Sequence, residues 1–112
     1  MRDRVTVNEP QVGAVFAALG DDTRRRIWRA VLDEGPLTAT ALAGRVPITR
    51  QAVSKHLQVL DRAGLVTAER VGRETRYVAR SDPLRDAADW IAAADATWRD
   101  RLARLKARAE SR

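Results

Sequence analysis

The chain has 112 residues, 45% of them hydrophobic, which suits one domain with its own core and excludes a disordered tail. It has no cysteine, so disulfides, thiolate catalysis and cysteine-based metal sites are excluded. The net charge is +6, with 21 basic and 15 acidic residues, and an excess of that sign draws polyanions.

No apolar run reaches membrane-spanning length, and the opening "MRDRVTVNEP" lacks the hydrophobic stretch of a secretion signal. The expected location is cytoplasmic, with no membrane partner. Residues 1–8 read as a flexible arm, 9–109 as a single domain and 110–112 as a flexible tail.

A first helix is expected from Pro10 to Leu19, with Val12, Val15, Phe16 and Leu19 as its apolar stripe and Gly20 as its stop. "DDT" at 21–23 supplies cap oxygens for a second helix, which carries Ile27, Ala30 and Val31 inward and ends at "EGP", 34–36. Trp28 and Leu32 fall away from that stripe, which predicts that this helix is covered on two sides, by its own domain and by something else. Thr38 caps a short third helix over "ATALAGRV". Pro47 then breaks the backbone ladder.

A fourth helix is expected over about 49–63. Val53, Leu57 and Leu60 form one stripe, and Gln51, Ser54, Lys55, Gln58 and Arg62 lie opposite. A short helix, a tight turn and a longer helix with a polar face form a helix-turn-helix. Residues 65–80 change period: two runs rich in Val, Thr and Tyr flank "VGRE", where Gly72 permits a reversal. A hairpin directly after the polar-faced helix is a wing, so the fold class is mainly α with a β-hairpin: a winged helix-turn-helix of five helices.

The last helix is expected over 83–109. Leu84, Ile91, Trp98 and Leu105 recur every seventh residue, and Trp90 and Leu102 widen the stripe. Such a stripe on a terminal helix marks an interface, the alternative being that the helix folds back on its own core. The basic surplus is placed unevenly: from Arg45 to Arg76 there are seven basic and three acidic residues, whereas Asp82, Asp86, Asp89 and Asp95 precede Trp98 against Arg85 alone.

The strings "LGDDTRRRIW", "QAVSKHLQVLDRAGLV" and "GRETRYV" resemble the ArsR/SmtB family of bacterial transcription repressors, and the likeness runs over about residues 12–80. It implies a homodimer built by the first and last helices. Val12, Phe16, Leu84, Trp90, Ile91, Trp98, Leu102 and Leu105 are its expected interface. It also implies double-stranded operator DNA held by paired recognition helices and wings. The family's classical metal sensors carry a cysteine pair at the start of the third helix, where this chain has "TATALAGR". With one histidine and scattered aspartates it resembles the metal-independent branch, so neither a metal nor another cofactor is expected.

A major groove admits a helix and displays a distinct pattern of donors and acceptors for each base pair. Gln51 has the amide that pairs with adenine; Ser54 and Lys55 reach base edges or phosphate; Arg50 and Gln58 reach the backbone. Arg70, Arg73 and Arg76 lie along or at the tip of the wing, where arginine fits a minor groove or its phosphate rims. Thr38 and Thr49 offer hydroxyls and helix N-terminal amides to phosphate, and capping alone accounts for both equally well.

His56 lies at the edge of the core stripe, and the favoured reading is a partly buried histidine hydrogen-bonded within the fold. "RRR" at 24–26 is ambiguous between local pairing and the DNA flank. Trp28, Trp90 and Trp98 have two readings, a cavity for an unidentified small-molecule effector or plain packing. A winged helix kept for protein contact, with DNA binding reduced or lost, is the alternative function. An enzyme is not expected, since one histidine, no glycine-rich phosphate loop and no paired carboxylates offer no catalytic set.

Overall fold

The computed structural model describes residues 9–111; the expected arm at 1–8 lies outside them. Helix α1 spans Glu9–Leu19 and α2 spans Asp22–Glu34. Strand β1, Leu37–Thr38, leads directly into α3, Ala39–Ala43. Helix α4 spans Arg50–Arg62, β2 spans Val66–Val71, β3 spans Glu74–Ala79, and α5 runs from Asp82 to Glu110. The chain is a winged helix-turn-helix.

Two features depart from the sequence reading. The hairpin gains a third strand: Leu37 and Thr38 pair antiparallel with Tyr77 and Arg76, giving the order β1-β3-β2. The third helix is shorter than expected and closes at Ala43. The amide of Gly44 bonds back to Ala41 and that of Arg45 to Leu42, so Arg45 and Val46 belong to the turn before Pro47.

Side-chain caps start α2, α3 and α4. Asp21 accepts from the amide of Arg24, Thr38 from Ala41 and Thr49 from Ala52, each taking up one of the donors that a helix start leaves unpaired. The end of α4 is equally local. Gly64 adopts φ +79°, its amide bonds to Asp61 O at 2.9 Å, and the Leu65 amide bonds to Leu60 O at 2.9 Å. This paired closure turns the chain sharply into β2. A side chain at Gly64 would also meet Pro83 of α5 at 3.2 Å, so both backbone shape and space call for glycine there.

The core gathers Val15, Ile27, Val31, Leu42, Val53, Leu57, Leu60, Leu65 and Val66 between the helices and the base of the sheet. Trp28 corrects the expectation made for it: it is 7% exposed within this one chain, so its second cover comes from its own domain. Its indole Nε1 donates to Leu65 O at 2.8 Å. Leu32, placed off the stripe with it, is exposed and gains no such cover within the chain.

Helix α5 divides in two. Leu84 packs against the core and Ala87 is buried, but every described residue from Ala88 onward is exposed. At 29 residues it is about 44 Å long and projects from the body, so that the long axis of the whole chain reaches 71 Å.

Candidate nucleic-acid interface

The first turn of α4 is set by the Thr49 cap and by the buried side of the helix, where Val53, Leu57 and Leu60 are fully enclosed. That anchoring turns Gln51, Lys55, Gln58 and Arg62 to solvent, while Ser54 is half-buried where α4 meets the sheet. No acid lies among these five. Arg50, at the helix start, donates from Nε to Thr40 Oγ1 at 3.1 Å, which ties α4 to α3 across the turn.

A polar cleft of about 590 Å³ opens between the start of α3, the start of α4 and the wing. Thr38, Thr40, Arg50, Ser54, Arg70, Arg73, Glu74, Thr75 and Tyr77 line it. Five residues singled out in the sequence (Thr38, Arg50, Ser54, Arg70 and Arg73) therefore meet in one place. Arg70 folds back so that its Nε donates to Gly72 O at 3.0 Å. Arg73 sits at the tip beside Gly72, whose φ of +63° forms the turn; among the described residues Arg73 has no ion-pair partner.

Arg76 stands apart from that group. Cross-strand partners share a face, and Arg76 pairs in register with Glu69 and Thr38, whereas Arg70 pairs with Thr75. Arg76 thus lies on the face of the hairpin away from Arg70, in an ion pair with Glu74 at 3.0 Å. Thr49 is occupied as a cap, and Gln51, Lys55 and Gln58 lie beside the cleft on the outward side of α4. Thr40, Thr75 and Tyr77 were not anticipated; they enter the cleft through tertiary packing of α3 against the sheet. The alternation of the hairpin about its Gly72–Arg73 turn could have flagged Thr75 and separated Arg76.

Of the residues expected to meet a partner copy, Val12 is 2% exposed and Leu84 is packed on the core, so neither leaves much surface to offer. Phe16, Trp90, Ile91, Trp98, Leu102 and Leu105 are all exposed. The Phe16 and Trp90 rings meet edge to face at 5.8 Å, joining α1 and α5 into one apolar surface. Trp28 is committed to the core and to Leu65, apart from this surface. His56 is half-buried and hydrogen-bonded to Arg24 within the fold.

Outside the cleft, two charged contacts shift their members. Arg45 donates to the Glu34 carboxylate and holds it below the usual carboxylate range, and Glu34 in turn raises the Arg45 guanidinium. The Arg24 amide similarly lowers Asp21.

A family model described as a helix-turn-helix domain matches residues 19–69, from the end of α1 into β2. An ArsR-like transcriptional regulator from Rhodococcus sp. RHA1 superposes with a TM-score of 0.78 at 41% identity, covering 88% of this chain and 92% of that one. The chain belongs to the ArsR family of transcriptional regulators. Among its ArsR-type relatives is the transcriptional repressor SdpR of Bacillus subtilis (strain 168), 32% identical over 77 residues, 69% of this chain and 84% of SdpR. A solution structure of a homodimeric winged helix-turn-helix DNA-binding domain, Mb0332 from Mycobacterium bovis, matches with a TM-score of 0.63 at 30% identity, over 85% of this chain and 88% of that one. These ArsR-type proteins are regulators, not enzymes. No described helix of this one is long and apolar enough to cross a membrane.

Proposed function

We propose that the protein is a homodimeric repressor that reads an inverted-repeat operator through paired α4 helices and wings. The observation that carries this reading is the cleft where Arg50 and Arg70 converge with Arg73 beside the exposed donor side chains of α4. Phosphate would lie against the arginines and the capped start of α3, and Gln51, Ser54 and Lys55 would face base edges. Neutralised phosphates would supply much of the affinity, and the α4 side chains the selection.

Dimer formation is supported by the exposed apolar row of α5 and by its charge. Residues 82–96 hold four aspartates against Arg85, while 97–110 hold five basic residues against Asp100 and Glu110. Two copies laid antiparallel bring the acidic half of each helix to the basic half of the other; parallel copies bring like to like. The homodimeric Mb0332 domain and the repressor SdpR support the same reading. Twofold symmetry then sets half-site centres about one helical turn, roughly 34 Å, apart.

Repression without a metal signal is part of the proposal. The chain has no cysteine, and among the described residues no three His, Asp or Glu side chains gather as a ligand set. An apolar effector would meet Trp90 and Trp98, so its binding would change their fluorescence as DNA is released. A cytoplasmic location follows from the DNA partner. The test is a gel-shift titration against duplexes from the gene's own neighbourhood and against random duplex at matched salt. Selective, salt-sensitive binding is expected; equal affinity for both would remove sequence-specific repression.

A further inference from the structure

Arg24 is the one member of the "RRR" run whose side chain reaches across the fold. Its backbone amide donates to Asp21 Oδ1 at 2.9 Å, inside the cap of α2. Its Nε donates to Ala18 O in the last turn of α1 at 2.7 Å. Its terminal Nη1 lies 3.1 Å from Nδ1 of His56 on α4. Three helices meet at one guanidinium.

The chemistry of the third contact is asymmetric. A guanidinium has donors only, so as a hydrogen bond this contact requires a lone pair on His56 Nδ1, that is, the tautomer with its proton on Nε2. His56 follows Lys55 on the outward face of α4 and precedes Leu57 in the core. The enclosed stripe of Val53, Leu57 and Leu60 sets which side of α4 faces out; a tie at this position adds a polar constraint on the roll of the helix, and that roll decides where Gln51, Lys55 and Gln58 are aimed.

The charged groups facing His56 are Arg24 and Asp21. The other charges of α2 pair with one another or with the turn after α3: Asp22 with Arg25 and Arg26, Asp33 with Arg29, and Glu34 with Arg45. Helix α3 carries none; α1 contributes only Glu9, at the opposite end from Ala18, and β2 only Glu69 and Arg70 in the outer half of the wing. A proton on His56 would set imidazolium against guanidinium and leave two donors face to face. Asp21 would be the only anion within this set for it to turn to.

We propose that Arg24 is a positioning residue for the DNA-reading surface: it ties the neutral imidazole of His56 to the end of α1, and protonation of His56 releases the recognition helix and weakens operator binding. This rests on the DNA-binding reading above. Histidine as a side-chain type ordinarily changes charge between pH 5 and 8, and the test spans that interval.

The experiment uses the full chain and the duplex that it selects from a random pool at pH 8. Wild-type affinity should fall by about tenfold between pH 8 and roughly pH 5.5, on the scale of one lost hydrogen bond to a charged group. His56→Gln keeps an acceptor and cannot titrate, so it should bind within about threefold of wild type at pH 8 and stay flat. Arg24→Gln should bind about tenfold more weakly at pH 8, also with a flat profile. Circular dichroism at both pH values checks that each variant is folded.

A pH profile of His56→Gln that follows wild type, or wild-type affinity in Arg24→Gln, overturns the proposal. A readout independent of DNA comes from the ring nitrogens of the chain's single histidine. Nitrogen-15 NMR at pH 8 should show protonated Nε2, and protonated Nδ1 would overturn the tie. Failure to select any duplex would sink the DNA-binding reading instead, with the ring nitrogens still deciding the tie itself.

Discussion

The indole of Trp28 in α2 donates to the carbonyl of Leu65 at 2.8 Å, and the same carbonyl accepts from the amide of Arg80 at 2.8 Å. Leu65 is the residue between the closure of α4 and the start of the wing. One oxygen therefore joins the second helix to both ends of the hairpin, and the angle between recognition helix and wing depends on this buried contact.

Trp28→Phe keeps most of the ring volume and removes the donor. It should cost about 1 kcal/mol for the hydrogen bond, with some further loss from the gap left by the smaller ring. Trp28→Ala should cost about 3–5 kcal/mol. Urea unfolding followed by fluorescence of the remaining tryptophans measures the two, and near-equal costs would mean that the ring contributes little by packing.

Asp21 gives a dependence on pH. The Arg24 amide bonds its carboxylate and holds its folded pKa below the ordinary value. A depressed acid contributes stability that is present above its unfolded pKa, about 3.9, and lost as pH falls through the lower folded value. Asp21→Asn retains a good cap and does not titrate. The gap in stability between wild type and variant should shrink as pH falls from about 5 through about 4 and below, as thermal melts across that interval would record. A gap that widens over that interval would contradict the assigned direction.

In the cleft, Arg73→Ala should weaken binding to all duplexes alike and lower the salt slope by about one unit per protomer. Gln51→Ala should leave the slope nearly unchanged and relax base preference at one position in each half-site, by about 1–3 kcal/mol of discrimination. Titrations at several salt concentrations with a panel of single-base operator variants separate the two. If neither substitution has an effect, the duplex does not lie along this cleft.

Trp98→Glu together with Leu105→Glu places charge in the exposed row of α5, distant from the core of the single chain. The double variant should sediment as a monomer with its wing and core intact, and its melting temperature should no longer rise with protein concentration. Retained dimer at micromolar concentration would show that this row is not the joining surface.

Most of the architecture is written in local pattern. The stripe of Val53, Leu57 and Leu60 gave α4 both its existence and its outward face, because helical periodicity alone sorts those positions. The Thr38 and Thr49 caps were equally legible. Strand β1 was not: Leu37 and Thr38 have no periodicity of their own and become a strand only by pairing with β3. Trp28 was misplaced because a wheel built on the α2 stripe does not show that the wing base covers the adjacent side.

By itself the sequence determined which segments are helices, where their caps start them, and which side of α4 carries donors, since each depends on contacts within a few residues. The tertiary structure decided which of those donors share a cleft, that Arg76 turns away from Arg70, and that Arg24 reaches His56. Those outcomes depend on strand register and on contacts between residues far apart in the chain, 32 positions in the case of Arg24 and His56, and no short window of the chain contains both partners.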